Sequence, residues 1–156
     1  MGIFALALAG YYGKGFLHNG SHMIDVLRML IGEIVSVEKI SLVTDFYDYA
    51  PSINANVFLN GSRFSMMAVD CSYFTIFELD LLFERARIRI LDSGFRIKIY
   101  NVANDKMFAG YQLNKTEDYP TELKKALDNA LQNISNFLNG KEKLQNPIHG
   151  DTGSLV

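Results

Sequence analysis

The sequence is poor in three features that often mark function: cysteine pairs, long apolar runs and clusters of one charge. Its single cysteine, Cys71, has no internal disulfide partner, so we expect a small buried hydrophobic residue in a reducing compartment, the cytoplasm. The apolar run at residues 3–9 is too short to span a membrane, and no basic residue precedes it as in a secretory signal. We interpret that run as a buried strand.

Charge is nearly balanced and evenly spread along the chain. Fifteen Lys and Arg residues oppose 17 Asp and Glu residues, for a net charge of -2. Nucleic acids and anionic membranes recruit basic clusters, so we expect neither as a partner, and expect a small molecule or another protein instead. A chain of 156 residues with 49% hydrophobic content can bury a full core, so we expect residues 1–156 to form a single domain.

Hydrophobic periodicity predicts a sheet that takes up most of the chain. After a first strand and a helix come about seven segments with period-two alternation and no helix between them, so the pairing must be mainly antiparallel. The Asn60-Gly61 pair predicts a hairpin with a type I′ turn. The predicted strands lie at residues 3–12, 35–42, 53–59, 64–69, 73–83, 86–91, 95–100 and 106–113.

A second helix is predicted over residues 118–140. Asp118 is the expected cap, Pro120 lies in the first turn, and a wide apolar stripe is expected to pack on the sheet. Residues 151–154 resemble the start of a further helix. Together the patterns predict an α+β fold, an open, mainly antiparallel mixed sheet with helices packed on one face.

The candidate site lies in the glycine-rich loop and helix of residues 13–33. Helical spacing of apolar residues begins near residue 19, and His18, His22 and Asp25 follow one another at intervals of four and three, which places them along one side of the first turns. Lys14 precedes them in the loop. Acid/base chemistry near neutral pH calls for groups with a pKa near about 6.5, as an imidazole has. This crowding of ionisable groups favours a functional site.

Simpler interpretations of the same residues stay open. His22 at a helix start can be satisfied by a backbone group, and Asp25 can orient the glycine loop or an imidazole rather than act as a catalyst. Lys14 can be a solvated loop lysine. Likewise, the segment Asp45-Phe46-Tyr47-Asp48-Tyr49 can line a polar substrate pocket or serve in packing.

The sequence argues against two more specific kinds of site, a dinucleotide-binding loop and a metal centre. Residues 13–18 approach the dinucleotide fingerprint G-x-G-x-x-G/A, but His18 occupies the third position, which must be small, and no further strand–helix units follow. We therefore predict no cofactor-binding residue in this chain. His18 and His22 have the spacing of two metal ligands, yet no third ligand is evident and the only other histidine is His149 in the C-terminal tail, so we predict no metal site.

The sequence His18-Asn19-Gly20-Ser21-His22-Met23-Ile24-Asp25, with Gly32-Glu33 after it, resembles the Asp-x-Gly-x-His-x-x-Asp pattern of the Gfo/Idh/MocA oxidoreductases. This is the family of glucose-fructose oxidoreductase and inositol dehydrogenase. The order of elements also resembles the C-terminal domain of that family over nearly the whole chain. His18 stands where the family usually has the first aspartate. No N-terminal Rossmann domain is present among the 156 residues.

The resemblance implies a substrate-binding and dimerisation domain of an NAD(P)-dependent oxidoreductase that acts on a sugar, polyol or sugar derivative. It implies His22 as the catalytic acid/base, with His18, Lys14 and Asp25 as substrate-binding candidates. It also implies NAD or NADP in the full-length protein, none for this chain alone, and a homodimer through the exposed sheet face. The alternative is a non-catalytic binding or assembly module with a degenerate site, which the histidine at position 18 allows.

Overall fold

Eight strands form one mixed sheet in the computed structural model, which describes residues 5–143. The strands are β1 Ala5–Tyr12, β2 Ile34–Val43, β3 Ser52–Leu59, β4 Ser62–Ala68, β5 Phe77–Phe83, β6 Ala86–Leu91, β7 Arg96–Asn104 and β8 Tyr111–Pro120. The helices are α1 Ser21–Leu30 and α2 Ala126–Leu138. The predicted α+β class is therefore confirmed.

The sheet runs in the order β2-β3-β4-β1-β5-β6-β7-β8. Among the eight strands described between residues 5 and 143, only the β1–β4 pair is parallel and every other neighbouring pair is antiparallel, which confirms the mainly antiparallel prediction. A parallel pair needs a crossover, and α1 with β2 and β3 supplies it. The strands β1 and β4 end, and β3 and β5 begin, at the same end of the sheet. The segments that follow Tyr12, precede Ser52 and follow Ala68 therefore lie next to one another.

The core lies between the central strands and α1. Leu8 and Gly10 of β1 face the helix, and a Cβ added to Gly10 would lie 2.5 Å from the Phe64 ring and 2.8 Å from Met23 Sδ. This close approach explains why the middle of β1 has a glycine. The buried hydrophobic cluster comprises Leu8, Tyr12, Met23, Leu27, Ala55, Val57, Leu59, Phe64, Met66, Leu79 and Leu81.

Two predicted strand starts were wrong, each because a polar group holds a different local structure. The segment predicted as a strand from residue 73 starts in a turn at residues 71–73 and has no regular structure up to residue 76. Asp70 Oδ1 accepts a hydrogen bond from Ser72 N in this turn at 2.8 Å. Residues 105–110 form a loop held by Asp105, whose Oδ1 accepts from Met107 N at 2.7 Å and from Phe108 N at 3.1 Å. The last strand accordingly begins at residue 111.

Asp118 and Pro120 do not start a helix, as the sequence had suggested, but belong to β8. Asp118 accepts hydrogen bonds from Arg96 of the neighbouring strand, Nε at 2.6 Å and Nη2 at 3.0 Å, and from Lys115 Nζ of its own strand at 3.0 Å. These contacts hold the pKa of Asp118 well below its usual range, the Arg96 hydrogen bond being the largest cause. A carboxylate with three cationic hydrogen bonds stabilises the strand where a helix cap had been expected.

The chain divides into two compact units, one ending at Thr121 and the other beginning at Glu122. In the second unit a short 3-10 turn at Leu123–Lys125 leads into α2, and none of the α2 side chains is buried. Gly140 has a φ of 68°, as expected for a glycine after a helix end. Docking of the apolar stripe of α2 on the sheet, and the single-domain interpretation, stay predictions; residues 144–156, including 151–154, lie outside the described part.

The Asn60-Gly61 turn joins β3 to β4 as predicted, with Leu59 and Ser62 paired. Gly61 has a φ of 82°, whereas Asn60 is not among the residues with positive φ, so the turn is not of type I′. Between residues 5 and 143 no helix is long and apolar enough to cross a membrane.

Candidate functional site

The candidate site begins with a strained turn at the end of β1. Lys14 has a φ of 65° and Gly15 a φ of 81°, both in the left-handed region, and left-handed backbone is costly for a residue with a side chain. A Cβ added to Gly15 would lie 2.3 Å from the carbonyl oxygen of Ala50. Position 15 therefore needs glycine both for its backbone conformation and for the approach of the neighbouring loop.

Hydrogen bonds from distant segments fix this turn. Asp45 Oδ2 accepts from Lys14 N at 2.6 Å and from Ser52 Oγ at 3.2 Å. The fully buried Ser52 hydroxyl in turn accepts from Gly15 N at 2.9 Å, and Phe16 N donates to the carbonyl of Pro51 at 3.1 Å. The three successive N–H groups of the turn are thus all used inside the protein.

The Asp45 carboxylate is held in its charged form. Burial alone raises the pKa of Asp45, but hydrogen bonds from the backbone of Phe46 and Lys14 and from the side chains of Ser52 and Cys71 together lower it below its ordinary value. Cys71 is half-buried rather than buried as expected, and burial followed by the nearby Asp45 raises the pKa of its thiol.

Tyr12 ties the end of β1 to β3. Its fully buried hydroxyl accepts a hydrogen bond from Ile53 N at 2.6 Å and donates one to Ile53 O at 2.9 Å. Burial is the main reason that the pKa of Tyr12 is raised. Tyr12 and Ser52 could not be assigned to the site from sequence, and Asp45, a possible pocket residue there, could not be connected to the turn, because their partners lie 31 to 41 positions away.

The helix of the site begins earlier than predicted. A π-helical turn at Phe16–Gly20 continues directly into α1, with Gly20 N donating to Gly15 O at 3.3 Å. Such turns are often found at functional sites. A Cβ at Gly20 would lie 2.8 Å from Phe16 Cδ2 and 3.0 Å from Tyr12 Cε2, which explains the glycine between the two histidines.

His18 and His22 are brought together as their spacing predicted. Their ring centroids are 5.9 Å apart and the planes are inclined by 68°. Both side chains are exposed. The pair lies in the first turns of the helix. It directly follows the turn whose backbone N–H groups bond to other parts of the protein.

Asp25 and Lys14 are less closely associated with the imidazoles. Asp25 is exposed one turn further along α1, and its charge acts on Arg28, whose pKa is raised first by the hydrogen bond with Glu33. Among residues 5–143, neither imidazole has a hydrogen bond to a carboxylate. Lys14 is partly buried, and it is its backbone N–H, rather than its ammonium, that Asp45 binds.

The turn does not fit a dinucleotide. A pyrophosphate on such a loop is held by free backbone N–H groups, and those of Lys14, Gly15 and Phe16 already have partners. The Asp45 carboxylate lies at the place an anion would take, and would repel a phosphate. Among the described residues there is also no group of three His, Cys, Asp or Glu side chains placed to hold a metal ion.

A shallow depression of about 300 Å³ lies at the same sheet edge, lined by Asp92, Phe95, Arg96, Asp118, Tyr119 and Pro120. Two strands, β5 and β6, separate β1 from β7. The opposite charges that line the depression pair with each other, Arg96 with Asp118. We therefore place the candidate site at the histidine pair.

Solved structures of sugar dehydrogenases share this arrangement of elements. UDP-N-acetylglucosamine 3-dehydrogenase from Acidithiobacillus ferrooxidans aligns with a TM-score of 0.62 and 14% identity, over 90% of this chain and 48% of that chain. Levoglucosan dehydrogenase in complex with NADH and L-sorbose aligns with a TM-score of 0.51 and 14% identity, over 72% of this chain and 40% of that chain. The chain has the fold of part of these dehydrogenases.

The agreement concerns the fold alone, because identity is low. The chain spans less than half the length of these dehydrogenases. No protein-family model and no curated protein sequence matches it. The fold expected from the resemblance to the Gfo/Idh/MocA C-terminal domain is confirmed, whereas the roles of individual residues are proposals.

Proposed function

We propose that this chain is the substrate-binding and dimerisation part of an NAD(P)-dependent oxidoreductase of the Gfo/Idh/MocA type, acting on a sugar, polyol or sugar derivative. The observation that carries the proposal is the exposed His18–His22 pair at the helix start, directly after a fixed turn, in a fold shared with sugar dehydrogenases. The nucleotide-binding half is then supplied outside these 156 residues, and NAD or NADP belongs to the whole protein.

In this proposal His22 is the acid/base at the reacting carbon. An imidazole can take a proton from a hydroxyl group as hydride leaves the same carbon, and return it in the reverse direction. His18, Lys14 and Asp25 contact the substrate hydroxyls or orient the imidazole. The nicotinamide cofactor accepts or supplies the hydride when it is bound.

The test is turnover of a sugar substrate by a protein that carries this chain together with a nucleotide-binding domain. His22→Asn should lower turnover by roughly 10²- to 10⁴-fold, the usual contribution of a positioned acid/base. The matched substitution His18→Asp, which restores the residue usual in the family, should be tolerated. Unchanged turnover in His22→Asn removes His22 from the mechanism.

For this chain alone we propose no appreciable affinity for NADH or NADPH and no oxidation of sugars. The support is the occupied N–H groups of the turn and the adjacent Asp45 carboxylate. Calorimetry with NADH and NADPH on the purified chain checks this. Micromolar affinity for either nucleotide would contradict it.

We also propose a homodimer through the sheet face opposite α1. On that face the outward positions of β5 are Glu78, Asp80 and Leu82, two charged residues and one apolar residue. The support is a mixed-charge surface, in which Asp80 pairs with Arg87 and lies 3.7 Å from Arg89. In a two-fold dimer the same patch of each subunit meets its copy, and this patch offers charges of both signs for that contact.

Light scattering at micromolar concentration tests the dimer. Lys98→Glu on this face should weaken it, while Lys106→Glu in the loop between β7 and β8 should not. A monomeric wild-type chain contradicts the proposal.

A non-catalytic binding module is the second candidate. It is favoured by one observation: no carboxylate orients either imidazole among residues 5–143, whereas a catalytic base is commonly held by a third group. Full retention of sugar binding with no turnover in the complete protein would favour this candidate.

A further inference from the structure

Three segments distant in sequence meet at Gly13. A Cβ added there would lie 2.7 Å from Val69 O, 3.0 Å from Cys71 Cβ and 3.3 Å from Asp45 Oδ2. The segments that follow β2 and β4 are therefore packed directly against the start of the turn that carries Lys14. Whatever these segments present to solvent lies beside the candidate site.

The loop between β2 and β3 is attached to this turn at both ends. At one end the Asp45 carboxylate accepts from Lys14 N at 2.6 Å. At the other end Pro51 O accepts from Phe16 N at 3.1 Å and Ser52 Oγ accepts from Gly15 N at 2.9 Å. The residues between these attachments are held next to the site.

Between the attachments the chain presents three aromatic rings, those of Phe46, Tyr47 and Tyr49, which we name the aromatic loop. The Phe46 and Tyr47 centroids are 4.5 Å apart at 83°, and the Tyr47 and Tyr49 centroids are 5.2 Å apart at 39°. Phe46 is 58% exposed and Tyr49 is 78% exposed, whereas the core aromatic Phe64 is fully buried. The rings contact one another, and those of Phe46 and Tyr49 are open to solvent while Tyr47 is half-buried, so they do not serve as core packing.

We propose that the aromatic loop is a stacking subsite for the pyranose ring of a neutral sugar. This inference rests on the proposed function and extends it. A hexose has a face of C–H groups that can lie against an aromatic ring, and hydroxyl groups at its rim that need hydrogen-bond partners. The loop offers ring faces together with the tyrosine hydroxyls and the exposed Asp48 carboxylate, a mixture typical of sites for small polar ligands.

The charge of the same segment argues against other occupants. Asp45 and Asp48 give this segment two carboxylates and no basic side chain, so a phosphate-bearing nucleotide would meet net negative charge. An apolar protein surface would have to cover the exposed Asp48 carboxylate without a partner for it, which is costly. A neutral, hydroxyl-rich ring meets neither obstacle.

The test measures the binding of methyl β-D-glucopyranoside to the whole chain by ligand-observed NMR. Tyr49→Ala and Phe46→Ala should each weaken the Kd by about two- to tenfold, as expected from the usual free energy of an aromatic contact. Tyr49→Phe, which keeps the ring, should retain most of the affinity. The matched control is Phe108→Ala, because Phe108 is 73% exposed but lies in the loop between β7 and β8, at the opposite edge of the sheet.

The outcomes separate this inference from the proposed function. Loss of affinity in Tyr49→Ala with none in Phe108→Ala supports the stacking subsite. Unchanged affinity in both Tyr49→Ala and Phe46→Ala, with loss in His22→Ala, overturns the subsite and leaves the proposed function standing. Absence of glycoside binding to the wild-type chain overturns the subsite, whereas the proposed function is decided separately by the turnover of His22→Asn in the complete protein. Binding of NADH that is lost in Tyr49→Ala assigns the rings to a nucleotide and also overturns the sugar assignment.

Discussion

The turn at residues 13–16 and the helix start at residues 18–25 are adjacent in the chain but differ in how they are held. In the turn the backbone N–H groups of Lys14, Gly15 and Phe16 bond to distant segments, and Gly15 contacts Ala50. In the helix start His18, His22 and Asp25 are exposed. The turn supports the site, and the histidines are free to meet a ligand.

Residues of the turn and residues of the helix start are therefore needed for different reasons. Residues of the turn are required by packing and by the hydrogen bonds of buried groups, so their substitution should change stability. The exposed side chains should change function without changing stability. Binding residues are commonly presented in this way, on loops or helix starts positioned by a rigid scaffold.

The largest expected effect is that of Gly15→Ala. A left-handed residue with a side chain costs about 1 to 2 kcal/mol, and the 2.3 Å approach to Ala50 O adds an overpacking cost, so we expect a loss of about 3 kcal/mol in the free energy of unfolding. Gly61→Ala is the matched control, because Gly61 has a φ of 82° but nothing within 4 Å of an added Cβ. Urea denaturation measures both, and equal losses would show that the contact with Ala50 is unimportant.

Tyr12→Phe should have the next largest effect. It leaves the N–H and C=O of Ile53 without their hydroxyl partner in a partly buried place, which costs about 2 kcal/mol. Tyr111→Phe, at a position that is 78% exposed, should change the free energy of unfolding by less than about 0.5 kcal/mol. If the two variants are equally stable, the hydroxyl of Tyr12 does not hold β1 to β3.

Asp45→Asn should cost about 1 kcal/mol at neutral pH, since hydrogen bonds to a charged acceptor are lost. The pKa of Asp45 is lowered in the folded state, so its stabilising effect is complete above the unfolded-state pKa of about 3.9 and is lost as the pH falls through the folded-state value. The difference between wild type and variant should therefore shrink in acid. Asp48→Asn, at an exposed position of the same loop, is the control. A difference that does not depend on pH would contradict the role of the charge.

His18→Ala and His22→Ala should have the smallest effect on stability, within about 0.5 kcal/mol, because both side chains are exposed. Thermal unfolding followed by circular dichroism measures this. A large loss of stability in either variant would mean that the imidazoles belong to the scaffold, and the distinction between the two regions would fail.

The sequence predicted those parts of the structure that depend on local pattern. Alternation of apolar residues gave most strands, and intervals of four and three placed His18 and His22 on one side of the helix start. The parts it missed depend on contacts between distant positions: Asp118 is drawn into β8 by Arg96, 22 positions away, and Asp45 binds the turn from a separation of 31 positions. No local signal distinguishes such a carboxylate from a helix cap or a surface residue.

The most direct test of the histidine pair as the substrate site is the NMR spectrum of the histidine rings in the purified chain, recorded while methyl β-D-glucopyranoside is added. The two signals are assigned by replacing His18 and His22 in turn. If the exposed pair is the substrate site, the signals of both rings should shift together and saturate with the sugar, while the amide signals of Lys14 and Gly15 stay in place because their hydrogen bonds are internal. Saturable binding of the sugar with no shift of the His22 signal would contradict the central claim.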